Sequence, residues 1–493
     1  MNLKKLIKSL QEDKLLVRGK SIPPAASRDI QGISCNSKSV KKNFVFVAVK
    51  GVNIDGSKFI EEAITRGATV VVSEGPGPKA QKPDEPQFIR VKDSRRALAR
   101  LAAKFYGNPS SKMNLVGITG TNGKTTISYL IESILKEARF SPAVIGTVNY
   151  RFKNCVIPSK NTTPGPLELQ CMFHRMREEG VSHIVMEVSS HALAQDRTEG
   201  ISFDSAIFTN LTQDHLDYHG TLGRYFAAKS RLFKKLKRSA CAVVNNDDAY
   251  GRRLERITGA KIITYGIERK SIVSAHEIKM DIAHTEFIVA TPKGKINIST
   301  RLIGRHNVYN ILAAVSWAIK EGIAPEVIRR AVRNFNTVPG RLQKVDCGGN
   351  ISVFVDYAHT EDALKNVIGS LRQVSLHKII AVFGCGGERD KTKRPKMGHV
   401  VTELADYVII TNDNPRSEDP GAIIKDIEKG IRKNNYCIIP DRLRAIKKSL
   451  TFAKTGDVVL IAGKGHEDYQ IIKDRIVHFD DREAIRECLR SMK

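Results

Sequence analysis

Short apolar runs that end in Gly, Asp or polar turns recur along most of the chain, each followed by a segment with helical spacing. Residues 115–118, 184–186, 206–208 and 242–244 are four such runs, and 353–355, 379–383, 408–410 and 458–461 are four more. This alternation predicts mostly parallel, doubly wound sheets, with the chemistry at the C-terminal ends of the strands. Ahead of residue 112, strand-like runs at 43–49 and 68–72 accompany a helical stretch at 59–66, and the Pro/Gly/Lys-rich segment 75–86 reads as a surface loop. Between 251 and 300 the alternating segments predict an antiparallel annex, followed by a helix at 307–321 and the turn Val338-Pro339-Gly340-Arg341. The expected architecture is α/β with three domains: a small N-terminal α/β domain (1–111), a central doubly wound domain (112–340) and a C-terminal Rossmann-like α/β domain (341–493). A length of 493 residues suits three domains at roughly 100–200 residues each.

One run continues into recognisable chemistry. Leu115-Val116-Gly117-Ile118-Thr119-Gly120-Thr121-Asn122-Gly123-Lys124-Thr125-Thr126 reads as a strand, a Gly-rich turn and a helix start in succession. Such a turn aims backbone N–H groups and a helix N-terminus at phosphate oxygens, Lys124 adds positive charge, and the Thr125 hydroxyl can reach Mg²⁺. The loop is expected to hold ATP phosphates, which makes the middle unit a P-loop, doubly wound parallel sheet. Its spacing departs from G-x-x-x-x-G-K-[ST], because Ile118 stands where the first glycine belongs. Glu187, in Met186-Glu187-Val188-Ser189-Ser190-His191, and His215, after Asp214, follow two other runs. A carboxylate and an imidazole converging there suit a divalent metal; read alone, such groups at strand ends are more often satisfied hydrogen-bonding groups. Asn307, Arg341 and Asp356 sit at element boundaries as contacts for the purine, phosphates or ribose, with helix caps and turns the plainer reading.

Composition narrows the classes. No apolar run approaches the ~18 residues of a membrane span, and the opening Met1-Asn2-Leu3-Lys4-Lys5-Leu6 lacks the apolar stretch of a signal peptide, so a cytoplasmic protein without a membrane span is expected. Eight cysteines without a C-x-x-C pair predict reduced, mostly buried thiols. The net charge of +28 suits nucleic acid, a membrane or polyanionic small substrates. It is spread along the chain rather than gathered in a tail, so nucleic acid is not the expected partner. A P-loop regulatory or nucleic-acid-binding ATPase is the alternative of a different class.

Taken together, Gly120–Thr126, Glu187 to His191, Asp214-His215, Gly304-Arg305-His306-Asn307-Val308-Tyr309-Asn310, Gly340-Arg341 and Asp356-Tyr357-Ala358-His359 resemble the Mur ligases, which add amino acids to the UDP-linked peptidoglycan precursor. Asn161-Thr162-Thr163-Pro164, Tyr225-Phe226-Ala227-Ala228-Lys229, Gly384-Cys385-Gly386-Gly387-Glu388-Arg389-Asp390-Lys391, Asp413-Asn414-Pro415-Arg416 and Gly463-Lys464-Gly465-His466-Glu467-Asp468-Tyr469 narrow the resemblance to the step that adds the third amino acid. It implies a cytoplasmic, monomeric ligase with ATP as co-substrate and Mg²⁺ as cofactor. A D-glutamyl carboxylate of the UDP-sugar substrate would attack the γ-phosphate, and an amine would displace phosphate from the acyl phosphate.

By the same resemblance Lys124, Glu187, His215 and Lys229 are catalytic. Thr125 and Glu187 bind one Mg²⁺, His215 and Lys229 a second, with Lys229 N-carboxylated (N6-carboxylysine) into a metal-seeking anion. Gly120, Thr121, Asn122, Gly123, Thr126, Asn307, Arg341 and Asp356 serve ATP. Ser37, Val52, Asn53, Ile54, Asn161, Thr162, Thr163, Ser189, Gln195 and Arg197 serve the UDP-sugar, although Asn36-Ser37-Lys38 stands where the family usually shows Asp-Ser-Arg. Arg389, Asp413, Asn414, Pro415, Arg416, Gly463 and Glu467 are implied to hold meso-diaminopimelate, because a guanidinium offers its distal carboxylate a fork. L-Lysine as the added amino acid, and a folylpolyglutamate-type ligase, are the alternatives within the superfamily.

Overall fold

The computed structural model of the chain describes residues 1–17, 28–51, 54–77, 85–347 and 350–492. Val52, Asn53 and residues 78–84 of the predicted loop lie outside the described residues. The first sheet is four-stranded and parallel, in the order Gly32–Ser34, Phe44–Val47, Ala68–Ser73, Gln87–Arg90. The basic opening folds as the helix Leu3–Glu12, capped by the Asn2 side chain. Its apolar positions at i, i+3, i+4 and i+7 (Leu3, Leu6, Ile7 and Leu10) are buried against the sheet together with Ala97, Leu98 and Leu101 of the helix Ser94–Phe105, while Lys4, Lys5 and Lys8 face outward.

The central sheet has eleven strands. Its parallel core runs Lys261–Gly266, Cys241–Asn245, Ser205–Phe208, Asn114–Thr119, His183–Glu187, Pro142–Ile145. Both faces are covered: Val116, Ile118 and Val185 pack with the helices Lys124–Glu137 and Arg305–Lys320, whereas Leu115, Ile184 and Met186 pack with Pro166–Glu178 and Leu222–Lys234. Burial on both sides explains why these strands read as continuous apolar runs rather than alternating ones. The chain leaves Asn114–Thr119 for strands on either side of it, so the Gly-rich loop opens at the topological switch point.

The annex is shorter than the sequence pattern predicts. Antiparallel pairing is confined to Val273–Met280, Thr285–Thr291 and Gly294–Thr300. Residues Ala249–Leu254 are helical instead, capped by Asp248, which accepts from the Tyr250 and Gly251 N–H groups, and Lys261–Gly266 extends the parallel core. At the opposite edge an unpredicted hairpin, Asn149–Phe152 with Cys155–Pro158, turns antiparallel to Pro142–Ile145. The third sheet runs Gln343–Val345, Ser352–Asp356, Val458–Ala462, Ile379–Phe383, Tyr407–Ile410, Tyr436–Ile438, parallel except at its first strand. All eight cysteines are unpaired, but only Cys241, Cys385 and Cys488 are buried. Cys35 and Cys171 are exposed, which corrects the expectation of mostly buried thiols: one follows a strand end and the other faces out from Pro166–Glu178. Among the described residues no helix is long and apolar enough to cross a membrane.

Glu199 ties the first sheet to the second. Its carboxylate, 3% exposed, pairs with Arg100 Nη2 of Ser94–Phe105 and with Lys235 Nζ at the end of Leu222–Lys234, with Arg96 Nε at 3.9 Å. Gly200, at φ +77°, lets the chain lie against that first helix, for a Cβ there would stand 3.1 Å from Ala103 Cβ. Burial raises the Glu199 pKa, but the charges of Lys235, Arg100 and Arg96 outweigh it and leave the group below its ordinary value. The stabilisation is therefore present above the unfolded-state pKa and is lost as pH falls through the folded one. Glu199→Gln is expected to cost about 1–2 kcal/mol, because its cationic partners are partly solvated, and a denaturation midpoint measures it.

Candidate functional site

The loop after Asn114–Thr119 is built on two glycines with positive φ, Gly120 at +149° and Gly123 at +89°. A Cβ on Gly120 would meet Thr209 Oγ1 at 1.8 Å, and one on Gly123 would meet Asn310 Oδ1 at 2.3 Å. Asn210 fixes the turn, its carbonyl accepting from Thr121 N at 2.9 Å and its Oδ1 from Asn122 N at 3.0 Å. Ile118 lies within the buried strand, so the loop is shorter than the strict motif and Gly120 takes the place of its first glycine. Lys124 Nζ donates to Gly120 O (2.9 Å) and Thr121 O (2.8 Å), and burial lowers its pKa against the opposing pull of Glu187. Gly120→Ala is expected to lower kcat/KM for ATP about a hundredfold, since a displacement near 1 Å misplaces the phosphates; initial rates against ATP concentration measure this.

Glu187 ends its strand 1% exposed. Its Oε2 accepts from Thr125 Oγ1 at 3.0 Å and Thr147 Oγ1 at 2.9 Å, and its Oε1 from Thr147 N at 3.0 Å. Lys229, also 1% exposed, extends from Leu222–Lys234 under the loop and donates to Gly120 O at 2.8 Å, with Nζ 4.4 Å from the Tyr225 ring centroid. Burial, then the Lys124 charge, pushes its pKa far down. His215 has a left-handed backbone (φ +51°) and its Nε2 lies 3.4 Å from Asp214 Oδ2. Burial lowers its pKa to about 4 in spite of Asp214. Asp214 also takes Lys393 Nζ at 2.9 Å. Among the described residues no three His, Cys, Asp or Glu side chains gather as a metal cluster. Thr125 Oγ1 and the Glu187 carboxylate nonetheless suit a hard cation that completes its shell with phosphate and water.

One cavity of about 1340 Å³ joins this loop to residues of both other sets that the sequence singles out. Asn161, Thr162, Thr163, Ser189 and Arg197 line one side. Thr163 Oγ1 donates to Glu187 O at 2.8 Å and accepts from Ser189 N at 3.0 Å, Thr162 Oγ1 lies 3.1 Å from Thr147 Oγ1, and Arg197 Nη1 donates to Thr163 O at 2.9 Å. Gln195 stands behind, bracing Arg197 through Oε1 at 3.0 Å. Ser37 and Ile54 are not among the residues lining this cavity; Ser37 donates to Glu62 Oε2 at 2.7 Å and Ile54 is 61% exposed.

The opposite side carries Arg389, Asp413, Asn414, Arg416, Gly463 and Glu467, with Pro415 set back from the cavity. Asn414 Nδ2 donates to Glu467 Oε2 at 2.8 Å, and Arg416 Nη1 to Gly387 O at 2.7 Å. Gly463, at φ +114°, admits Asp413 where a Cβ would stand 2.6 Å from its Oδ2. Burial and then Asp413 raise the Glu467 pKa, against Lys464 and Asn414. Asn307 and Arg341 border the loop, Arg341 Nη2 lying 3.5 Å from Thr125 Oγ1 and its guanidinium 4.8 Å from the Tyr357 ring centroid. Asp356 also lines the cavity, but its carboxylate accepts from Leu342 N and Ala358 N, at 2.5 and 2.7 Å, and so holds a turn.

Family models described as Mur ligase family, catalytic domain, Mur ligase middle domain and Mur ligase, glutamate ligase domain match residues 29–106, 118–318 and 340–465. The UDP-N-acetylmuramoyl-L-alanyl-D-glutamate--2,6-diaminopimelate ligase of Clostridium tetani is 45% identical over 466 residues, 94% of this chain and 96% of that protein. The chain belongs to the Mur ligase family. A solved structure bearing the same enzyme name matches this Mur ligase with a TM-score of 0.71 at 31% identity, over 100% of this chain and 99% of that one. The MurF ligase from Thermotoga maritima in complex with ADP matches in fold, with a TM-score of 0.65 at 21% identity over 94% and 98% of the two chains.

In this Mur ligase the sequence reading leaves out four polar side chains that hold the site together. Thr147 orients Glu187 through two hydrogen bonds, and its only signal is Gly146-Thr147 after the apolar run at 142–145. Asp362 Oδ2 accepts from Asn122 Nδ2 (2.9 Å) and Thr212 Oγ1 (3.0 Å), joining the third sheet's first helix to the phosphate loop. Lys393 reaches Asp214 from beyond the Gly384–Lys391 motif. Lys464 lies inside a quoted motif but is fully buried, donating to Asn414 Oδ1 at 3.2 Å and lying 3.4 Å from Glu467 Oε2; lysines rarely sit so deep unless paired.

Proposed function

We propose that the chain is an ADP-forming amide ligase that adds meso-2,6-diaminopimelate to UDP-N-acetylmuramoyl-L-alanyl-D-glutamate in peptidoglycan precursor synthesis. The observation that carries this is the one cavity in which residues 121–126 of the loop, Lys229 and the side chains Arg389, Asp413, Arg416 and Glu467 meet. The D-glutamyl carboxylate attacks the γ-phosphate of ATP and ADP leaves; the amine of the diamino acid, having lost a proton, attacks the acyl carbon, and inorganic phosphate leaves. Lys124 and the N–H groups of the loop bind the phosphates, and Arg341 neutralises charge beside Thr125. Thr125 and Glu187 would hold one Mg²⁺, His215 and an N-carboxylated Lys229 a second, and the bound ions supply positive charge for the meeting of two anions. Asn161, Thr162, Thr163, Ser189 and Arg197 orient the UDP-sugar peptide.

The division at residues 111 and 340 is part of this reading, supported by the separate four-, eleven- and six-stranded sheets and the three matched spans. So are a cytoplasmic location, a monomeric state and a basic charge that serves polyanionic small substrates rather than nucleic acid. The first sheet and the 96% coverage of the C. tetani relative favour this enzyme over a folylpolyglutamate-type ligase, and that relative's name favours diaminopimelate over lysine. Phosphate release from ATP with the UDP-linked dipeptide and each diamino acid tests it. Release that depends on diaminopimelate is the expected result, and no turnover with any diamino acid sinks the ligase reading.

A further inference from the structure

The loops after Tyr407–Ile410 and Val458–Ala462 supply Asp413, Asn414 and Arg416 from one side and Gly463 and Glu467 from the other, yet their strands are not neighbours: Ile379–Phe383 runs between them. Asn414 Nδ2 and Glu467 Oε2 bridge the loops at 2.8 Å, but both face the cavity, where a ligand competes for them. Lys464 Nζ to Asn414 Oδ1 (3.2 Å), Gln470 Nε2 to Asp413 O (2.6 Å), Ile471 N to Asn414 Oδ1 (2.9 Å) and Arg416 N to Ile471 O (3.1 Å) also join the loops, and a further bridge lies underneath, where the loops begin. Arg442, at the start of Arg442–Phe452, is 0% exposed in its side chain, as is Asp481, the first residue of the last helix. Its Nε and Nη2 grip the two Asp481 carboxylate oxygens at 2.7 Å each. Nη2 also donates to Ala462 O at 3.1 Å, and Nη1 to Asn412 O at 3.4 Å. Those two carbonyls belong to the residues immediately before Gly463 and Asp413.

We propose that Arg442, oriented by Asp481, is a positioning residue for the amino-acid pocket, clamping the carbonyls of Asn412 and Ala462 so that the two loops keep a ligand-competent spacing. A planar guanidinium spans two carbonyls and a carboxylate at once, which an ammonium does not. A fully buried ion pair is in general replaceable by apolar residues of similar volume at little cost in stability, so what this one specifically contributes is geometry. Arg442 is absent from the residues lining the cavity and acts through the loops. The inference rests on those loops receiving the diamino acid.

The test is the full-length double variant Arg442→Met/Asp481→Leu, read by hydrogen exchange without substrate and by steady-state kinetics. Exchange is expected to quicken about tenfold in residues 411–418 and 462–472 and not in 120–126. KM for diaminopimelate is expected to rise about tenfold or more, with KM for ATP unchanged. Should the double variant not fold, Arg442→Lys, which keeps the charge beside Asp481 but not the fork, takes the same readouts. Unchanged exchange in both loop segments overturns the clamp whatever the substrate is, as does a rise in KM for ATP that parallels the rise for diaminopimelate. Failure of the parent enzyme to release phosphate with any diamino acid strikes the ligase reading instead, and the substrate-free exchange still decides the clamp.

Discussion

Lys229→Ala is expected to lower kcat/KM at least about a thousandfold, some 4 kcal/mol of transition-state stabilisation, while the chain still folds. The hydrogen-bond partner of Lys229 is a carbonyl, Gly120 O, which also accepts from Lys124 Nζ, so removing the amine leaves no buried acceptor unpaired; Lys229→Met, which keeps more of the volume, guards against a packing defect. The reason for so large an effect is position. Lys229 Nζ is 2.8 Å from Gly120 O, under the phosphate loop, and burial together with Lys124 favours its neutral amine. A neutral amine is the form that takes up carbon dioxide, and the carbamate so formed reverses the sign of the charge beside the loop. Degassing the buffer is expected to slow the parent enzyme and bicarbonate to restore it, while neither changes the residual rate of the variants. Undiminished turnover in Lys229→Met removes this side chain from the mechanism, and a parent rate indifferent to carbon dioxide removes the carbamate.

The sequence makes the candidate site residues legible where chemistry and strand ends coincide. Glu187 and the loop 120–126 can be placed because an apolar run fixes the strand and the next polar residue must lie at its C-terminal edge. Lys229 is legible only through the resemblance of its flanking residues, since a lysine on a helix of alternating basic and apolar positions reads as a solvated face. The supporting contacts stay hidden for a different reason. Thr147, Asp362, Lys393 and Lys464 meet partners between 3 and 240 positions away, and most of those pairings are made by tertiary packing that no local pattern encodes. Asp356 shows the converse: a polar residue at the right strand end whose carboxylate is engaged by the backbone of its own turn. At Ala249–Leu254 a cap at Asp248 overrides the extended pattern expected there.

Arg416→Ala is the second large change, and its effect falls on selection. The Arg416 backbone is held at φ +53° by two hydrogen bonds to a small antiparallel hairpin, Tyr469–Ile472 with Arg475–His478: N to Ile471 O at 3.1 Å and Lys473 N to Arg416 O at 2.8 Å. Truncating the side chain therefore leaves the loop in place and removes only the guanidinium, which now donates to Gly387 O. A guanidinium–carboxylate contact in such a pocket accounts for about 3 kcal/mol, or roughly a hundredfold. In kcat/KM the preference for diaminopimelate over L-lysine, which lacks the distal carboxylate, is expected to shrink by about that factor, with KM for ATP unchanged. Arg416→Lys should recover part of the loss, because a point charge attracts a carboxylate without the planar fork. Equal losses with both amino acids would mean that Arg416 shapes the loop rather than reads the ligand. A loss confined to diaminopimelate would place the choice of amino acid in this one side chain, with Glu467 and Asp413 left to hold the ammonium that both substrates share.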